Sequence, residues 1–472
     1  MLFNSLIFLF AFLPLVLGFY FLLRKEYRNI FLLIASLAFY AWGEAELVVV
    51  MIFSICLNYA FGILISSQVV HKIGLGKKWR WIFLALGVAI NLSVLVYYKY
   101  FTFILNNLRS LNFEFSFSDD NILLPIGISF FTFQSISYLI DVYRRTVPAQ
   151  KNLLDLGLYI SLFPQLIAGP IVRYEDIYKE IRSRTVTREG FSSGILKFIR
   201  GLAKKVIIAN NVGLIADKAF DIPVGELGMF TSWVAIICYA LQIYFDFSGY
   251  SDMAIGLGRM FGFNIKENFM HPYTASSVKE FWRRWHISLS TWFRDYLYIP
   301  LGGSRGSKLR TYINLVIVFF ITGLWHGASW NFVIWGLFHG SFLLIERSFK
   351  IKLPSYLRFL NHIYLLLVVL IGWVLFRSDT LTYAIDFIGH LFDFSIGIDN
   401  YPLVYLNYYT LFIIFLGILF SAPIRNRLKN NIFKMNFLNS IRLTYSIHLC
   451  LFVYTIFELV QSNYNPFIYF RF

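Results

Sequence analysis

Long apolar runs separated by short charged loops dominate the chain, and the loops alternate in sign. Leu2 to Leu23 is apolar and is followed by Arg24, Lys25 and Arg28. A cleavable signal peptide carries its charges before the apolar stretch and small residues at its end. This stretch has neither, which predicts a first transmembrane helix with the N-terminus outside and the basic cluster inside. Glu44 and Glu46 then form an acidic point, and Lys72, Lys77, Lys78 and Arg80 a basic one. Glu114, Asp119 and Asp120 are acidic again, and Arg144, Arg145 and Lys151 basic. The alternation predicts helices at 30–43, 47–68, 81–108 and 122–140, crossing back and forth. The first of these is short against the ~20 residues a crossing needs, so it is tilted or the bilayer thins there.

The middle of the chain is less regular. Residues 152–169 are apolar and end in Ala168-Gly169-Pro170, with a basic loop from Arg173 to Arg188 on the same side as Arg144. That pattern predicts a segment that enters the membrane and returns. Over 192–216, Lys197, Arg200 and Lys204 share one helical face, with Ile195, Phe198, Ile199, Leu202 and Val206 elsewhere, which predicts a helix lying on the cytoplasmic surface. Residues 228–247 read as a crossing. The stretch 276–310, with its seven Lys or Arg and three Trp, is too polar to span. Apolar runs follow at 311–325, 331–345, 361–376, 403–421 and 443–461. Arg425, Arg427, Lys429, Lys434 and Arg442 mark the inside before the last one, which leaves the tail 462–472 outside. No linker, low-complexity segment, fixed repeat or inverted pair of halves interrupts this pattern. The expectation is one all-α membrane domain over 1–472, with about 11 membrane-embedded helices of the length a bilayer requires.

Composition narrows the class further. Of 472 residues, 58% are apolar, 20% aromatic and 14% charged, with a mean hydropathy of +0.63. Soluble domains carry about a quarter charged residues, so a soluble enzyme, a disordered chain and a coiled coil are excluded. The net charge of +16 belongs to Lys and Arg gathered in cytoplasmic loops rather than to nucleic-acid binding. Cys56, Cys238 and Cys450 lie far apart in apolar runs and make neither a disulfide framework nor a C-x-x-C site.

Polar residues inside a membrane are costly and therefore informative. The strongest case is Thr-Gly-Leu-Trp-His-Gly-Ala-Ser-Trp-Asn, 322–331, where His326 sits between two apolar runs. Gly323 and Gly327 are four residues apart and clear one helix face for a neighbour, while Trp325 and Trp330 supply flat walls. A neutral imidazole at depth accepts a proton from a hydroxyl, as a general base in acyl transfer must. The alternative is a histidine that bridges helices, with glycines that serve only packing.

A second case is 279–298. As one helix it places Trp282, His286, Leu289 and Phe293 on a common face, flanked by Arg283, Arg284 and Arg294. A basic aromatic mouth of this kind, with Arg283, Arg284 and Trp285, suits a phosphate-rich donor such as coenzyme A. An interfacial helix that obeys the positive-inside and aromatic-belt rules explains the same arginines and tryptophans. A third case is 244–264, where Asp246 and Asp252 either pair with Arg259 or orient a histidine. There is no P-loop, no D-x-D pair and no zinc-protease histidine spacing, so no metal site is expected. His71, His362, His390 and His448 have no constellation around them. In the tail Asn-Pro-Phe-Ile-Tyr-Phe-Arg-Phe, Tyr469 is either an interfacial anchor or an acyl carrier. A phenol, with a pKa of about 10, is a better leaving group than a sugar hydroxyl.

Three long motifs then carry a resemblance: 124–134 (Leu-Pro-Ile-Gly-Ile-Ser-Phe-Phe-Thr-Phe-Gln), the stretch 278–303, and 325–336 (Trp-His-Gly-Ala-Ser-Trp-Asn-Phe-Val-Ile-Trp-Gly). In this order they resemble the membrane-bound O-acyltransferases, and most closely the bacterial branch of alginate and peptidoglycan O-acetylation and teichoic-acid D-alanylation. The likeness runs over nearly the whole chain. It implies helices around a central tunnel, with re-entrant and interfacial segments, in the bacterial cytoplasmic membrane. It implies an acyl group, acetyl by the nearest relatives, passed from a cytoplasmic thioester such as acetyl-CoA to an acceptor outside. It makes His326 the catalytic residue, His286 a second tunnel residue and Tyr469 the transient acyl acceptor. A periplasmic or extracellular SGNH-type acetyltransferase is then the partner that passes the group to a polysaccharide. The contrasting expectation is a non-enzymatic transporter or exporter of an activated acyl group or polymer.

Overall fold

A computed structural model describes residues 1–66, 76–113, 122–349, 354–394, 406–424, 441–462, 464 and 466. His71, the acidic group at Glu114, Asp119 and Asp120, the basic stretch from Arg425 to Lys434, and Tyr469 lie outside the described residues. Among the described residues every regular element is helical. Six helices among the described residues are long and apolar enough to cross a membrane: Val48–Ile65, Lys78–Ser110, Met229–Met260, Lys308–His326, Ser355–Arg377 and Arg442–Gln461. Phe8–Leu22 and Tyr408–Phe420 are shorter apolar helices. The chain is a multi-pass membrane protein.

The chain divides into two compact units, one of residues 1–195 with 253–266 and one of 196–252 with 267–472. At the centre of the first stands Ile128–Arg144, buried on nearly every side and packed against Val48–Ile65 and Lys77–Leu95. Several polar groups inside this unit are paired, as most buried polar groups are. Asn58 and Asn91 exchange amide hydrogen bonds of 3.0 and 2.9 Å, and Arg80 donates to the carbonyls of Ile65 and Tyr143 at 2.8 Å. The predicted run 152–169 is broken. Leu153–Ser161 stops at Leu162, and Pro164 sits in the first turn of a short second piece, Phe163–Leu166. Nine residues rise only about 14 Å, less than half a hydrocarbon core.

The surface helix expected over 192–216 is corrected by its ion pairs in the second unit. Lys205 is buried and sits 3.0 Å from Asp246, while Lys197 and Lys204 both reach Asp252, at 2.9 and 2.7 Å. Lys197 also binds Glu267 at 2.8 Å. Lys197 and Lys204 therefore point at carboxylates rather than at water, while Arg200 on the same face is exposed. Asp246 and Asp252, expected to pair with Arg259 or to orient a histidine, bind these lysines and Lys205.

Candidate active site

The candidate site lies wholly within the second unit. Lys308–His326 starts at Ser307, whose hydroxyl accepts from the Arg310 amide, and ends at His326. It runs against Trp330–Ser348, the most extensive helix pairing among the described residues. The approach is close because the residues at the crossing are glycines. A Cβ on Gly323 would overlap the main chain of Phe332, and one on Gly336 would overlap the Phe319 carbonyl. Gly327 clears the Phe332 ring in the same way.

That crossing places His326 inside an aromatic cage. Its ring lies 4.9 Å from Trp325, 5.0 Å from Trp335 and 5.2 Å from Phe376, each close to edge-on, and the residue is 6% exposed. Trp335 is shared. On its other side, at 5.2 Å, is the ring of His339, one turn further along the same helix. His339 is 0% exposed, and neither ring nitrogen has a hydrogen-bond partner. Phe281 lies parallel to it at 6.2 Å, Trp282 stands across it at 5.3 Å, and Gly372 leaves room for Nε2. The sequence reading missed His339. The signal was available, since Trp335 and His339 are four apart and share a helix face.

His286 reaches the same cage from another direction. The single helix expected over 279–298 is two short ones, Val278–Arg284 and Ile287–Phe293, broken at Trp285 and His286. His286 has φ of +42°, a region a non-glycine residue enters only when its surroundings enforce it. Asn268 does the enforcing. Its main-chain carbonyl accepts from Ile287 N–H at 2.9 Å, and its side-chain oxygen accepts from Ser288 N–H at 3.0 Å. Met270 N–H donates to the Arg284 carbonyl on the near side of the break. Trp282 and His286 therefore do not share a helix face. The His286 ring packs at 4.7 Å on Phe247 and at 5.9 Å on Trp325, which stands between it and His326. Burial pushes the His286 imidazole down to about 3, so it is neutral at physiological pH. Its Nδ1 meets Ser288 Oγ at 3.4 Å.

Below the cage opens a cleft of about 1960 Å³, larger than the 300–1,000 Å³ of an ordinary small-molecule site. Lys279, Arg283, Arg294, Lys308 and Arg347 line it, with Arg294 tied to Asp295 at 2.6 Å. The one carboxylate among the described residues of its wall, Glu346, accepts from the Val278 and Lys279 amides at 2.6 and 3.1 Å. Arg283 is thus in the cleft wall, whereas Arg284 and Trp285 are not among its lining residues. Arg284 binds Glu280 and Thr274, and Trp285 is buried against Trp373 and Phe281. Along Lys308–His326 the wall is a stripe: Lys308, Tyr312, Leu315, Phe319 and Thr322. Steps of four and three residues keep one helix face, and the next step from Thr322 is His326. Fourteen residues of helix rise about 21 Å, so the stripe leads from the basic mouth to within one turn of the histidine.

The site is thus a histidine cage beside a basic cleft in a helical membrane protein. Residues 146–377 match MBOAT, the membrane-bound O-acyltransferase family, and the chain belongs to that family. It is a membrane-embedded O-acyltransferase, with an acyl donor and a hydroxyl acceptor. The probable alginate O-acetylase AlgI of Pseudomonas putida is 41% identical over all of both chains. That of Azotobacter vinelandii is 46% identical over 84% of this chain and 79% of its own. The peptidoglycan O-acetyltransferase of Helicobacter pylori is 36% identical over 86% of this chain and 82% of its own.

Proposed function

We propose that this protein takes an acetyl group from acetyl-CoA at the cytoplasmic side and passes it toward a cell-envelope or extracellular polysaccharide, with His326 as the general base. The observation that carries this reading is the stripe that leads from Lys308 to Thr322 and on to His326. Arg283, Lys279, Lys308 and Arg347 at the mouth suit the phosphates of the donor, because guanidinium and ammonium groups bind phosphate oxygens. The apolar wall along Leu315 and Phe319 suits the acyl-bearing arm. The names of the relatives, alginate O-acetylase and peptidoglycan O-acetyltransferase, support acetyl as the group and a polysaccharide as the final acceptor.

His326 takes the proton of an attacking hydroxyl, and that oxygen forms a bond to the thioester carbonyl carbon. The carbon–sulfur bond breaks, and the thiolate leaves with the proton returned by the imidazolium. Positioning and a base supply the acceleration. His286 and Trp325 form the wall beside the reacting groups. The attacking hydroxyl is that of Tyr469, which holds the group as an aryl ester until an SGNH-type partner outside the membrane moves it to the polymer. His326→Ala abolishes polymer O-acetylation while the protein still accumulates in the membrane, read by acetyl content of the polymer and by immunoblot of membranes. Ordinary acetylation in that variant overturns the assignment.

A further inference from the structure

Within the second unit, Tyr464 and Pro466 meet a group of charges that the acyl-transfer step does not use. Asp217 lies on Asn210–Phe220, and Arg377 is the last residue of Arg358–Arg377. Arg377 donates to one carboxylate oxygen of Asp217 at 3.0 Å, and the Tyr464 hydroxyl donates to the other. Asn210 Nδ2 reaches the Tyr464 carbonyl at 3.5 Å. Lys205, already paired with Asp246, donates to the carbonyl of Pro466. Lys205 and Asp246 are 2% and 1% exposed. A buried ion pair rarely improves stability over apolar residues of the same volume. Two charged pairs that both turn a hydrogen bond onto the same short piece of tail therefore call for another reason. The location supplies one. Arg377 follows Phe376, whose ring packs on His326 at 5.2 Å. The contacts run without a gap from Tyr464 through Asp217 and Arg377 to the wall of the histidine cage.

We propose that Asp217, Arg377 and Lys205 form a clamp that holds the chain at Tyr464 and Pro466, and that this hold sets how fast the tail accepts the acyl group. The inference rests on the reading of Tyr469 as acceptor. Tyr469 is the third residue after Pro466, so an extended chain spans at most about 11 Å between their Cα atoms. A tether that short converts the attack into an intramolecular step only when its fixed end is held, and the clamp is what holds it. Tyr464, Asp217, Arg377 and Lys205 are positioning residues in this scheme, and none of them touches the thioester.

Full-length protein in detergent tests it with two readouts. Hydrogen exchange of the backbone amides around Tyr464 reports the seating. Mass spectrometry of the C-terminal peptide after mixing with isotope-labelled acetyl-CoA reports acyl acceptance. Tyr464→Phe removes only a hydroxyl at the chain end, and Asp217→Asn gives a second route to the same loss should one variant fold poorly. Both are expected to lose the amide protection and to slow tail labelling at least tenfold. Asp217→Glu, which keeps the charge, recovers most of the rate. Protection that survives in Tyr464→Phe overturns the clamp, and so does lost protection with an unchanged labelling rate. A wild-type tail that never carries label counts against Tyr469 as acceptor, and the amide protection then decides the clamp by itself.

Discussion

A Cβ added to Gly372 would stand 2.7 Å from Nε2 of His339. The imidazole has nowhere to retreat, because Phe281, Trp282, Trp335 and Phe338 surround it. Gly372→Ala therefore pushes His339 onto Trp335, the indole it shares with His326. Overpacking of this kind costs about 1–3 kcal/mol, and thermal unfolding in detergent reads it as a lowered midpoint. Acetyl transfer falls as well, because Trp335 is a wall of the cage that holds His326. Unchanged stability and activity in Gly372→Ala would show that the His339 cage is looser than its contacts imply. At this scale the sequence is legible where chemistry and packing coincide. His326 stands out because glycines and tryptophans flank it within one helix turn. His339 carries a weaker signal, Trp335 one turn before it on the same face, and only the fold brings Trp282 and Gly372 to it. Arg377 and Asp217 are likewise ordinary loop charges in the sequence, and 160 positions separate them.

The break between Val278–Arg284 and Ile287–Phe293 shows how one distant residue redirects an element. Periodicity over 279–298 favours a single helix, since Trp282, His286, Leu289 and Phe293 recur at steps of three and four. Asn268 overrides it by holding Ile287 and Ser288 from a segment ten or more positions upstream, and its own amide is fixed by Ser251 at 3.2 Å. Nothing local in 279–298 encodes that capture, so pattern reading could not find it. Asn268→Ala removes the acceptor for Ser288 N–H while the Asn268 main-chain carbonyl stays in place. Loss of a buried hydrogen-bond acceptor costs about 1–3 kcal/mol. The expected outcome is a thermal midpoint lowered accordingly, together with a reduced kcat at unchanged KM, because His286 relaxes from its φ of +42° while the basic mouth stays intact. A raised KM alone would place the effect of Asn268 at the mouth instead. The long apolar helices were legible for the opposite reason. Their signal is local hydropathy, and Lys308–His326 and Arg358–Arg377 begin and end within a few residues of the predicted runs.

Across the whole molecule, charge sorts the function by depth. The formal charge of +16 is not spread evenly. Part of it is consumed in pairs, as Lys197, Lys204 and Lys205 show, and part of it faces the cleft. Sequence alone could not divide the two, because both kinds of lysine sit in amphipathic or loop segments and only their partners tell them apart. The cleft cations act on the donor over distance as well as on contact. A charged concave surface concentrates an oppositely charged ligand, and salt weakens the effect over a Debye length of about 10 Å at 0.1 M. Lys308 and Arg347 are the test, since both are exposed at the mouth and Lys308 lies some 27 Å of helix from His326. Reversing both, as Lys308→Glu with Arg347→Glu, should raise the KM for acetyl-CoA at least tenfold and leave kcat within a factor of two. Added salt should narrow the gap, because it weakens the wild-type attraction and the variant's repulsion alike. A drop in kcat with an unchanged KM would place the donor's phosphates elsewhere and detach the mouth from the stripe that ends at His326.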